Sequence, residues 1–146
     1  MIKTINMQDM RYINLLSKIS RVRTNSCFRY NQSLIFIVDR RDVSKAIGED
    51  GKNVKEMSEI LGKKIKIVGM PNINNPEEVE KFILAIIHPT VFRGLEITET
   101  ELIITSGGPQ NKAMLLGRNK MRLMELKEVV KQYLKKDLRV IWLKPI

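Results

Sequence analysis

Ile47-Gly48-Glu49-Asp50-Gly51-Lys52-Asn53-Val54 joins two stretches of helical periodicity, and an echo of it returns 69 positions later as Leu116-Gly117-Arg118-Asn119-Lys120-Met121-Arg122-Leu123. In both places a run of apolar residues at helical spacing meets a glycine, turns through a short loop and restarts as a second helix. Glycine admits a positive φ and lets another backbone come close, because it has no Cβ. The restarting helix leaves its first N–H groups unpaired, and its dipole puts partial positive charge at the same end. A loop of this kind can cradle an anion. Two copies at one offset predict a small module used twice.

Working outward from the first loop, residues 41–47 read as a short helix and residues 52–61 as a second, with Val54, Met57, Ile60 and Leu61 on one face. Gly62 fits a helix stop. Lys64-Ile65-Lys66-Ile67 alternates as a half-buried strand. Upstream, Met10, Ile13, Leu15, Leu16 and Ile19 predict an amphipathic helix over 8–20. Strands follow at about 22–30 and 33–39, with Asn31-Gln32 as the hairpin turn. Gly69-Met70-Pro71-Asn72-Ile73-Asn74-Asn75-Pro76 has linker composition. Pro76-Glu77-Glu78 then opens a helix carrying Val79, Phe82, Ile83, Ala85, Ile86 and Ile87. Strands at 91–98 and 101–105, helices at 109–116 and 120–135, and a strand at 138–143 complete the chain. Both halves read α-β-β-α-α-β. The expected fold is α+β, with domains at 1–70 and 71–146.

Composition narrows the function classes. The chain has 146 residues, 43% apolar and 5% aromatic, which predicts a compact aliphatic core and argues against disorder. No stretch approaches the roughly 18 apolar residues of a membrane span, so no membrane partner is expected. The start, Met1-Ile2-Lys3-Thr4-Ile5-Asn6, lacks the apolar run of a signal peptide. A cytoplasmic location is expected, and the single Cys27, which cannot form an internal disulfide, agrees. The net charge of +10, from 26 basic and 16 acidic residues, points to a polyanion. That charge is partitioned. Residues 73–111 hold two basic and six acidic residues, whereas 112–146 hold ten basic and three acidic. The positive charge gathers on the second loop and the helix after it.

At this point the chain resembles the archaeal NusA-like transcription factors, built from two tandem type II KH modules. The strongest segment runs from Asp42 to Lys55, through Ala46-Ile47-Gly48-Glu49-Asp50-Gly51-Lys52-Asn53-Val54, and continues in Leu61-Gly62-Lys63-Lys64-Ile65-Lys66-Ile67-Val68. Asn75-Pro76-Glu77-Glu78-Val79 and Ala85-Ile86-Ile87-His88-Pro89 resemble the family's connection into its second module. The resemblance implies two type II KH modules that bind single-stranded RNA, the nascent transcript, as an accessory to elongation or termination by RNA polymerase. It also implies a chain without the polymerase-binding and oligonucleotide-binding barrel domains of the bacterial factor. The expected RNA-binding residues are Lys45, Ile47, Gly48, Glu49, Asp50, Gly51, Lys52, Asn53 and Lys55 in the first module. In the second they are Lys112, Gly117, Arg118, Asn119, Lys120 and Arg122. Neither copy follows the family pattern fully. Glu49-Asp50 stands where a basic residue is usual, and Lys120 replaces the second glycine. The division of labour expected from this is electrostatic hold from the second module and groove contacts from the first.

Catalysis finds no support. His88, the only histidine, precedes Pro89 at a helix end and reads as a cap. Cys27 reads as a small buried hydrophobe. One His and one Cys do not make a zinc site of the usual ligand count, and no metal or other cofactor is expected. Gly107-Gly108-Pro109 reads as a turn, since the Gly-Lys-Ser/Thr ending of a phosphate loop is missing. Met114, Met121 and Met124 fall at helical spacing and read as mostly core, with a groove-lining role left open for one; Trp142 on the last strand reads as core, with stacking on a base as the lesser reading. A monomeric, non-enzymatic RNA binder is the expectation. The alternatives are a ribosome-assembly or translation-linked RNA binder, and a protein-interaction scaffold with degenerate loops.

Overall fold

The computed structural model describes residues 6–24 and 26–142. The chain divides into two compact units between Asn72 and Ile73. The first unit contains α1 (Met7–Ser20), β1 (Ser26–Tyr30), β2 (Ser33–Val38), α2 (Val43–Ile47), α3 (Lys52–Leu61) and β3 (Lys64–Gly69). The second contains α4 (Pro76–Ile87), β4 (Phe92–Ile97), β5 (Glu101–Ser106), α5 (Pro109–Leu116), α6 (Met121–Leu134) and β6 (Asp137–Ile141). Each unit is therefore α-β-β-α-α-β. The sheets have the same topology, β1-β2-β3 and β4-β5-β6, with an antiparallel first pair and a parallel second pair. The fold is α+β, two tandem KH-like modules of type II order.

Local chemistry sets the element ends. Asn6 accepts the Asp9 N–H at 2.8 Å to start α1, and Asn75 accepts from Glu77 and Glu78 ahead of Pro76 to start α4. Asn31 and Gln32 both have positive φ, the geometry a two-residue hairpin needs to match strand twist. The middle strand of the first sheet is buried on both faces, hence its unbroken Leu34-Ile35-Phe36-Ile37-Val38. Leu34, Phe36 and Val38 share a core with Tyr12 and Leu16 of α1, Ala46 of α2 and Met57 of α3. In the second unit Phe82, Ile83 and Ile86 of α4, Leu102 and Ile104 of β5, Leu115 of α5 and Leu126, Val130 and Leu134 of α6 are buried. Each buried Leu, Ile, Val, Phe or Met side chain among them stabilises its unit by about 1.5–3 kcal/mol.

Several sequence expectations shift. The first strand begins at Ser26, so residues 22–24 lie outside it, although Val22 and Thr24 are buried. The buried Thr24 hydroxyl donates to the Ile37 carbonyl. Ile60 and Met10 are exposed. The last strand ends at Ile141; Trp142 follows it half-buried, with the Lys112 ammonium 5.3 Å from its ring centroid, and Leu143 lies outside the described residues. The largest correction concerns Met114, Met121 and Met124, which are not core but 40%, 48% and 62% exposed. The buried stripe of α6 runs through Leu126, Val129, Val130 and Leu134. Met124 lies two residues before Leu126, about 200° round the helix, on the opposite side.

Candidate nucleic-acid interface

Two loops carry the candidate site, and their backbones superimpose in dihedral space. Gly48 has φ 82 and ψ 165, and Gly117 has φ 69 and ψ 176. Asp50 (φ 55, ψ 27) matches Asn119 (φ 55, ψ 30). Gly51 (φ 73, ψ 19) matches Lys120 (φ 60, ψ 22). The hydrogen bonds match as well. Gly48 donates to the Ser44 carbonyl at 2.9 Å, and Gly117 to that of Ala113 at 2.9 Å. Gly51 donates to Gly48 at 3.1 Å, and Lys120 to Gly117 at 3.2 Å. The chain therefore builds one loop twice.

The first glycine of each loop is required on two counts. A Cβ on Gly48 would lie 2.9 Å from the Asn53 side chain and 3.0 Å from its backbone nitrogen. A Cβ on Gly117 would lie 3.0 Å from the Arg122 backbone nitrogen and would collide with that side chain. Asn53 and Arg122 are themselves 69 positions apart, so each loop closes onto the same position of the following helix. Asn53 donates from Nδ2 to the Lys45 carbonyl at 3.2 Å, tying the start of α3 to the end of α2. Arg122 is half-buried and pairs with Glu125 at 2.6 Å. Both side chains serve the hinge between helices.

The remaining expected residues fall into two groups. Lys45, Glu49, Asp50, Lys52 and Lys55 are exposed around the first loop, and Arg118, Asn119 and Lys120 around the second. Ile47 and Gly51 are half-buried beneath the first tip. Lys112 is exposed on α5 over the Trp142 ring, a cation–π contact of about 0.5–1 kcal/mol at such a site. The first tip is thus acidic with three exposed lysines round it; the second is basic. Upstream of α2, Asp39 accepts the Arg41 N–H at 2.9 Å and pairs with its guanidinium at 3.2 Å. That hydrogen-bonded guanidinium holds the Asp39 carboxyl below the usual carboxylate range. On β3, burial beside Lys64 lowers the Lys66 pKa.

A third set of residues escaped the sequence expectations. Lys45, Lys52 and Lys55 have Met114, Met121 and Met124 at their equivalents, and all six side chains are exposed. The signal was present in the sequence: sliding the chain over itself by 69 positions sets each lysine against a methionine. Among the described residues no group of three or more His, Cys, Asp or Glu is placed to hold a metal ion, and no helix is long and apolar enough to cross a membrane.

No protein-family model matches the chain. It is similar to proteins named "Probable transcription termination protein NusA" from three archaea. Identity is 29% over 85 residues for Methanococcus vannielii, covering 58% of this chain and 46% of the relative. For Methanocaldococcus jannaschii it is 34% over 82 residues, covering 56% and 42%. For Halococcus morrhuae it is 26% over 96 residues, covering 66% of each. The matched stretch thus spans under half the length of the first two relatives. The crystal structure of APE1850 has the same fold, with a TM-score of 0.61 and 21% identity over 95% of this chain and 100% of that one. Over roughly three-fifths of its length the chain is thus similar in sequence to these archaeal proteins.

Proposed function

We propose that the protein binds single-stranded RNA through its two helix-loop-helix hinges and acts as an accessory factor in transcription elongation or termination. The observation that carries this reading is the repeated loop. Two exposed tips of the same backbone conformation each present the start of a helix without a capping side chain. The positive end of the helix dipole at each tip suits a phosphate. Arg118 and Lys120 add charge at the second tip, and Lys45, Lys52 and Lys55 surround the first. A single strand can follow such hinges and leave its bases free for contact, whereas a duplex hides its base edges. The role is one of binding, not catalysis. The names of the archaeal relatives support the link to transcription, with RNA polymerase as the partner the RNA would be shared with.

The two loops divide the work by charge. The second tip supplies direct phosphate attraction. At the first, Glu49 and Asp50 repel phosphate and the three lysines offset that repulsion. The test is a binding titration of R118A/K120A against the unmodified protein at several salt concentrations. Each lost phosphate contact removes about 0.7 from the salt slope on a single strand, so the double variant drops the slope by about 1.4. An unchanged affinity and slope contradicts the assignment.

A further inference from the structure

The replacement of three exposed lysines by three exposed methionines changes what the second hinge can hold. Met114 sits in the last turn of α5, Met121 opens α6 and Met124 follows one turn on, so the three flank one loop. Lys45, Lys52 and Lys55, at the same positions of the same loop, are solvated and would each add to phosphate binding. Methionine removes that charge and leaves a flexible thioether that adapts to irregular aliphatic surfaces. It offers no flat ring on which a base could stack. The surrounding charge is positive: residues 109–135 hold seven basic residues and two acidic ones, and Arg118 and Lys120 are exposed beside the methionines.

We propose that this methionine face of the second unit is a docking surface for an acidic segment of a partner protein that carries apolar side chains. Apolar anchors would cover Met114, Met121 and Met124, and carboxylates would meet Arg118 and Lys120. Apolar contact on an adaptable methionine surface, rimmed by lysine and arginine, is the complement of an acidic amphipathic helix. The three methionines have lysines as their counterparts at the first hinge, whereas Arg118 and Lys120 are shared with the RNA reading, on which this part of the inference rests. Where both ligands are present, acidic segment and RNA compete for Arg118 and Lys120.

The experiment uses the full chain labelled with 13C at its methionine methyls. The probe is a helix-forming peptide of roughly 20 residues built from Glu, Ala, Leu and Phe. Its control has Ser in place of Leu and Phe at the same charge, and single-stranded oligouridylate is titrated in parallel. The acidic-apolar peptide is expected to shift the Met114, Met121 and Met124 methyls and to leave that of buried Met57 unmoved. M114K/M121K/M124K, which restores the first hinge's pattern, weakens the peptide about tenfold or more and leaves oligouridylate binding equal or tighter. M114Q/M121Q/M124Q weakens the peptide without adding charge. The proposal is overturned if the serine control binds as well, if both triple variants keep full peptide affinity, or if the peptide moves none of the three methyls. It is equally overturned if oligouridylate moves them and the peptide does not, which assigns the face to RNA bases.

Discussion

Gly51 and Lys120, 69 residues apart, occupy the same left-handed backbone well, φ 73 and ψ 19 against φ 60 and ψ 22. The second loop therefore keeps the geometry of the first without its second glycine. An L-residue in that well costs about 1–2 kcal/mol, which the rest of the hinge sustains. Space is not the constraint, since a Cβ on Gly51 would meet nothing nearer than the Lys55 Cε at 4.0 Å. Gly51→Lys should fold and lose about 1 kcal/mol. Lys120→Gly should be neutral or gain up to about 1 kcal/mol, the relief of strain being partly offset by a freer unfolded chain. Denaturant unfolding of the two variants checks both signs.

Gly48 and Gly117 are a different case, because positive φ and lack of room coincide there. Gly48→Ala and Gly117→Ala should each lose about 2 kcal/mol or more, strain and steric clash together. The loss should exceed that of Gly51→Ala measured in the same way. Equal losses at all three positions would mean that the contacts with Asn53 and Arg122 are not closing the loops.

Charge at the first tip should control its share of binding. E49K/D50K removes two carboxylates from a loop with three lysines round it and should tighten single-stranded RNA at low salt by about tenfold, with a steeper salt slope. Competition binding with a fluorescent oligonucleotide reads the change. Unaltered affinity would place the first loop outside the RNA path.

The Asp39–Arg41 pair gives a pH dependence with a definite sign. The folded carboxyl titrates below its unfolded value because the Arg41 guanidinium hydrogen-bonds it. Its contribution to stability is therefore present above the unfolded value of about 4 and is lost as pH falls through the lowered folded value. Asp39→Asn should lower stability at neutral pH, and the difference from the unmodified protein should close on acidification through that window. Thermal melts of both proteins from pH 7 downward check it.

The repeat was legible because its causes are local. Glycine before a helical restart, an Asn-Pro-Glu helix start at Asn75 and the unbroken β2 run all announce themselves in short windows. What the sequence hid depended on partners distant in the chain or on helix phase. Met121 and Met124 share the spacing of core residues, yet the phase of α6 is set by Leu126, Val129, Val130 and Leu134, while on α5 the buried position is Leu115, next to Met114. The buried Thr24 hydroxyl donates to the carbonyl of Ile37, thirteen residues on, a contact that strand periodicity does not announce. Arg122 also has local partners that residue type does not assign: its stem lies against Gly117 and its guanidinium pairs with Glu125. Charge type could be read from the sequence; which charges remain at the tip could not.

The most direct measurement is a fluorescence-anisotropy titration of the full chain with a short single-stranded RNA and with the matched duplex, at low and near-physiological salt. The single strand is expected to bind more tightly, weakening with salt at a slope equivalent to a few phosphate contacts. Equal binding of the duplex, or no binding of either RNA at low salt, would contradict it.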